Sequence, residues 1–67
     1  MLTEKKRILA RVNQDGLALE YASAAMRSDR EVVLAAISHN GYALLYASTA
    51  LKDDREVVLA AVNQYGY

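Results

Sequence analysis

The chain has 67 residues, of which 54% are apolar and 24% charged, a composition that excludes a disordered tail and leaves room for one small domain. Eight Lys and Arg balance eight Asp and Glu, so the long-range attraction that draws proteins to phosphate backbones or anionic lipid is missing. The absence of cysteine removes disulfides and thiolate metal sites, and no apolar run approaches the roughly 20 residues of a membrane helix.

At the N-terminus, MLTEKKRILARVNQDG has positive charges but then breaks into Arg11, Asn13 and Gln14, without the apolar core of about 7 to 15 residues that a secretion signal needs. A cytoplasmic protein is the default expectation. The stretch predicts a first helix with Ile8, Leu9 and Val12 on one face and Arg7 and Arg11 on its flank.

From here the sequence repeats. Gly16, Gly41 and Gly66 are spaced by 25, as are Leu9, Leu34 and Leu59, and the pairs Tyr21 and Tyr46, Ser23 and Ser48, and Asp29 and Asp54 keep the same interval. The units are residues 5–29, residues 30–54 and a half unit, residues 55–67. A repeated supersecondary unit that cannot bury its apolar faces alone predicts an all-α fold: tandem 25-residue helix-turn-helix units stacked as a short α-solenoid.

In the second unit, helix A is expected over about Arg30 to Asn40. Asp29, and Asp54 in the next unit, stand where a carboxylate can accept orphan N–H bonds at a helix start, with Glu31 and Glu56 in the first turn. Gly41 is expected to close helix A with a positive φ, and Gly16 and Gly66 to act likewise. Val33, Leu34 and Ile37 form the face that meets helix B, while Val32 and Ala36 form a flank for a neighbouring unit. In the first unit Arg7 and Arg11 occupy that flank, as expected of a terminal unit that solvates its free side.

Helix B is expected as one amphipathic helix, since Ala43, Leu44, Ala47, Ala50 and Leu51 fall within an arc of about 120°. Ala18, Leu19, Ala22, Ala25 and Met26 repeat the pattern in the first unit. The alternative is that Ser48 breaks helix B and caps a separate short turn. The third unit keeps Val57 and Ala61, but Val58, Leu59 and Val62 would face a helix B that the sequence does not reach. Their exposure predicts a symmetric homodimer through residues 56–67, with Tyr65 and Tyr67 in the contact.

The motif D-R-E-V-V-L-A-A followed by Val or Ile, then G-x-A-L-x-Y-A-S and L-K-D-D or M-R-S-D, resembles the tandem repeat of the family catalogued as domain of unknown function 4116. The likeness is strongest from Asp29 to Tyr67 and weaker from Lys5 to Arg11. It implies tandem helical repeats within larger proteins, and the family's lack of an assigned activity means that it implies nothing about catalysis.

Residues suited to chemistry have plainer readings. His39 is the only histidine and sits on the outward arc of helix A, where a metal site would need further ligands. Asp53 and Asp54 precede a helix, which favours capping over a catalytic carboxylate pair, and Ser23 and Ser48 suit helix-end hydrogen bonding better than nucleophilic attack. No enzyme activity, metal or cofactor is expected. Tyr21, Tyr42 and Tyr46 either fill the seam between units or line a partner groove, and Leu45 points away from the core arc where Glu20 stands one unit earlier. The expected function is a protein-interaction or scaffolding module in a longer array. The alternative is a small nucleic-acid-binding domain using Lys5, Lys6, Arg7 and Arg11.

Overall fold

The computed structural model describes residues 3–65, with side chains through Gln64. Helix α1 (Glu4–Val12) leads into a 3-10 turn, η1 (Gly16–Tyr21), and then α2 (Ala24–Arg27), α3 (Arg30–His39), a second 3-10 turn η2 (Gly41–Tyr46), α4 (Thr49–Lys52) and α5 (Arg55–Tyr65). No strand occurs among the described residues. The fold is all-α, and η1, α2 and α3 recur as η2, α4 and α5 at the 25-residue interval of the sequence.

Helix starts are fixed by short polar side chains. Thr3 Oγ1 accepts from the Lys6 N–H at 3.1 Å, and Asp29 Oδ1 accepts from the Val32 N–H at 3.2 Å. Asp54 Oδ1 takes two donors at the head of α5, the N–H groups of Glu56 at 2.9 Å and Val57 at 3.2 Å. Each bond satisfies a backbone donor that has no partner within its own helix.

Helix α3 packs between α1 and α5, η1 lies beside η2, α3 touches both 3-10 turns, and α5 rests on η2. The long helices thus form one layer and the 3-10 turns another, in a slab of 38 × 22 × 15 Å. The core between the layers is built from Ile8, Val12, Leu19, Val33, Ile37, Ala43 and Ala47. Val32 and Ala36 on α3, and Val57 and Ala61 on α5, are also buried, whereas Arg7 and Arg11 at the equivalent places on α1 are exposed.

Helix B is not the single helix expected. Ala22 and Ala47 leave the 3-10 turns with ψ of 156° and 158°, and Ser23 and Ser48 follow in the same extended region. The Ser23 hydroxyl then accepts from the Met26 N–H at 3.3 Å, and the Ser48 hydroxyl from the Leu51 N–H at 3.4 Å. A serine that caps a new turn withdraws the chain from the one before it, which is the alternative weighed at Ser48. The single-helix wheel therefore misplaces Ala25 and Ala50, both of which are exposed.

The glycines also have a different task from the one expected. Asn40, extended at φ −157° and ψ 109°, ends α3, and its side chain accepts from the Tyr42 N–H at 3.0 Å to start η2. Gly41 is the first residue of that right-handed turn and does not close α3 through a positive φ. Asp15 plays the corresponding part before Gly16, accepting from the Leu17 N–H at 3.0 Å. Gly16 is required by proximity instead. A Cβ there would run into the Ala36 carbonyl oxygen and stand 3.0 Å from both Asn40 Cβ and Asn40 N. Gly66 lies outside the described residues.

Two stability outcomes follow from these contacts. Gly16→Ala should destabilise the chain by about 2 kcal/mol, because the obstructing atom is backbone and the added methyl group over-packs the junction. Ala36→Arg should cost about 3 kcal/mol or more by driving a charge into a closed seam, while Arg11→Ala should stay within about 0.5 kcal/mol. Denaturant titration of the three variants checks both, and equal costs for Ala36→Arg and Arg11→Ala would remove the distinction between seam and terminal face.

Candidate interaction surface

The sequence-selected residues fall in three places. At the C-terminal side, Tyr42 and Leu45 from η2 share a groove with Val58 and Val62 from α5, together with Gly41, Leu44 and Ala61. Tyr42 and Leu45, selected as a partner surface, and Val58 and Val62, selected as a self-association face, are therefore parts of one apolar depression. Leu45 is 65% exposed, while Leu44, Val58 and Val62 are half-buried. Leu59, 46% exposed, does not line the groove. The side chains of Tyr65 and Tyr67 lie outside the described residues.

One unit earlier the equivalents of Tyr42 and Leu45 are half-buried Leu17 and exposed Glu20, while those of Leu44, Val58 and Val62 are Leu19, Val33 and Ile37, all buried. There η2 covers these last three by packing on both η1 and α3. Sequence reasoning marked the unfinished face of α5 but not Leu44, because a continuous helix B would have placed that residue inside.

The second place is the N-terminal face, where Tyr21, 80% exposed, shares a concavity with Glu4, Arg7, Ile8, Arg11 and Ala22. Glu4 Oε1 accepts from the Ser23 hydroxyl at 2.7 Å, tying the head of α1 to the start of α2. The third is the seam around Tyr46, whose half-buried ring packs on the core and borders Ala24, Arg27, Ala47 and Ser48. The Ser48 N–H donates to the Arg27 carbonyl at 2.9 Å across this seam. Tyr21 and Tyr46 are equivalent in sequence yet differ in burial, because Tyr46 has a preceding unit to rest against.

A pair of ionic clamps joins the long helices, and the sequence reading missed them. Lys5 Nζ lies 3.2 Å from Asp29 Oδ2 and 2.8 Å from Glu31 Oε1. One period later the Arg30 guanidinium pairs with Asp54 Oδ2 through Nη1 and with Glu56 Oε2 through Nη2, the latter at 2.7 Å. The aspartates thus divide their oxygens, Oδ1 capping their own helix and Oδ2 holding the helix before. The signal was present as the recurrence of Lys5, Arg30 and Arg55, but a cation beside an aspartate reads as local until the helices are packed.

These contacts shift the acids in a defined direction. Burial pushes the Asp29 carboxyl up, but the Val32 N–H and the Lys5 ammonium outweigh it and hold the group below its ordinary value. Asp54 is likewise lowered, first by the Val57 N–H, against some desolvation, and then by Arg30. Lys5 is raised by its bonds to Glu31 and Asp29.

His39 is exposed, and no cluster of three or more His, Cys, Asp or Glu side chains able to hold a metal ion occurs among the described residues. Ser23 and Ser48 serve as helix caps. No described helix is long and apolar enough to cross a membrane.

Acid titration should expose the double use of Asp29 and Asp54. Their depressed carboxyls contribute stability above the unfolded value of about 4 that is lost as pH falls through the folded values. The thermal midpoint should therefore hold between about pH 7 and 5 and fall below about pH 4. Asp54→Asn, which keeps a capping oxygen and loses the charge, should flatten that acid limb. An unchanged limb in this variant would show that Asp54 carries none of the effect.

With this geometry in view, comparison with known families gives two overlapping matches to the family described as Domain of unknown function (DUF4116), over residues 5–52 and residues 29–67. No curated protein and no solved structure matches the chain.

Proposed function

The chain belongs to the family Domain of unknown function (DUF4116), and from that premise we propose that it is a non-enzymatic helical-repeat module for protein-protein interaction or scaffolding, one stretch of a longer stacked array. The observation that carries this reading is the clamp that recurs with the period, Lys5 to Asp29 and Glu31, then Arg30 to Asp54 and Glu56. A contact repeated at a fixed interval between successive helices is what an α-solenoid requires. The overlap of the two family matches by about one unit supports the same view.

In this reading the stack meets its partner along the row of 3-10 turns, at Tyr42 and Leu45, whose equivalents one unit earlier, half-buried Leu17 and exposed Glu20, stay accessible under the following unit. An exposed tyrosine in an apolar setting suits a protein partner, since tyrosine is enriched among the residues that dominate interface binding energy. The tyrosine at the other end favours a second reading. Tyr21 shares a concavity with Arg7 and Arg11, an aromatic ring beside two cations, which suits a single-stranded nucleic acid. Zero net charge and the Glu4 carboxylate in the same concavity weigh against it.

A photo-crosslinking side chain placed at Leu45, and separately at Tyr21, separates the readings in an extract of the source cells. The interaction module predicts discrete protein adducts from position 45 that survive about 0.5 M salt. Nucleic-acid adducts from position 21, lost steeply as salt rises, would favour the second reading. Adducts at neither position would remove both.

A further inference from the structure

Lys5, Arg30 and Arg55 stand in the first turns of the three long helices at the 25-residue interval. The first two each hold an Asp and a Glu of the helix that follows. Arg55 is exposed and has no hydrogen-bond or ion-pair partner among the described residues. The groove formed by η2 and α5 is in the same condition, since the apolar part of its counterpart, Leu19, Val33 and Ile37, is covered by η2, and the head of α5, the long helix that follows η2, supplies the carboxylates to Arg30. A cation and an apolar depression, identified independently, are thus both complete in one unit and incomplete in the next.

We propose that the η2–α5 face docks a further unit of the same 25-residue kind: its apolar 3-10 turn seats in the groove, and the Asp and Glu at the head of its long helix close on Arg55. This deepens the reading of the chain as a helical-repeat module and rests on it. The occupant is identified by its charge pattern as much as by its apolar turn. It must bring an Asp at the N-cap and a Glu two residues on, a spacing that puts both carboxylates at the positive end of one helix.

A second copy of the chain fits poorly. Its leading helix α1 carries Glu4 and Lys6 where the clamp needs Asp and Glu, so Lys6 would meet Arg55 with like charge. Arg7 and Arg11 stand where the seam takes Val and Ala. A two-fold pairing of C-terminal faces, the homodimer expected from the sequence, could cover the groove. It would leave Arg55 without this clamp, because Asp54 and Glu56 of each copy are already held by Arg30.

The test appends a copy of residues 43–65 after Tyr67 of the full chain, so that the period continues, and compares the parent and extended proteins. The appended unit should raise the thermal midpoint by at least about 5 °C and add helical signal. Arg55→Ala should move the midpoint of the parent by no more than about 1 °C and lower that of the extended protein by about 3 to 6 °C. Arg55→Lys should restore most of the loss, as Lys5 performs the same task in the first unit. Equal effects of Arg55→Ala in both proteins would overturn the clamp while leaving the stacked-repeat reading in place. An extended protein with no gain in midpoint or helix would overturn the docking face and count against that reading as well. Sedimentation completes the comparison: self-association of the parent that the appended unit does not displace would assign the groove to a second copy and overturn the proposal.

Discussion

Burial of the α3 and α5 flanks is the constraint on which the rest of the structure depends. Val32, Ala36, Val57 and Ala61 are closed over by the preceding unit, and a valine alone gains about 1.5 kcal/mol or more from such burial. Small side chains set the spacing. Alanine at positions 36 and 61 lets the long helices approach closely, and the missing Cβ of Gly16 lets the first 3-10 turn come up against the α3 backbone at Ala36. The two layers therefore meet at a point with no room for a methyl group, and at the equivalent places on α1 the arginines Arg7 and Arg11 are exposed.

The clamps act on a different level. Exposed ion pairs contribute little stability individually, and Arg30, Glu31 and Glu56 are all on the surface. Their value lies in register. The Oδ2 atom of each aspartate reaches the cation of the preceding helix only when the two helices are aligned at their heads, and the same carboxylate has Oδ1 engaged in its own cap. Correct stacking is thereby coupled to correct helix initiation, which matters in a chain that contains no proline or disulfide to fix its geometry.

Much of this was legible in the sequence, because a fixed interval carries structural equivalence with it. Helix A, the aspartate caps, the buried flank at Val32 and Ala36 and the polar replacement at Arg7 and Arg11 could all be read from aligned units. The 3-10 turns could not. The run GYALLY has the apolar content of a helix face, and what decides its form is competition at its ends: an Asx side chain captures an N–H two residues on, and a serine captures the next turn. The six residues between two such claims close as a 3-10 turn. The role of Gly16 was hidden for another reason, since a punctuating glycine and a glycine at a close crossing look alike until the crossing is known. Of the candidate surface, most members were legible in the sequence but not their grouping, because Tyr42 and Leu45 join Val58 and Val62 only once η2 rests on α5.

The position of α3 between two neighbours has a kinetic meaning. Either α1 or α5 can detach while the other still covers one side of α3, but α3 cannot open without losing both of its seams at once. Its amide protons should thus exchange with solvent only through global opening, whereas those of α1 and α5 have cheaper local routes. Most of the contacts are also close in sequence, so ordering can begin at α3 and spread outward with little loop entropy to overcome. In a row of short elements packed in this way, the middle one has the most seams to lose and the outer ones the fewest.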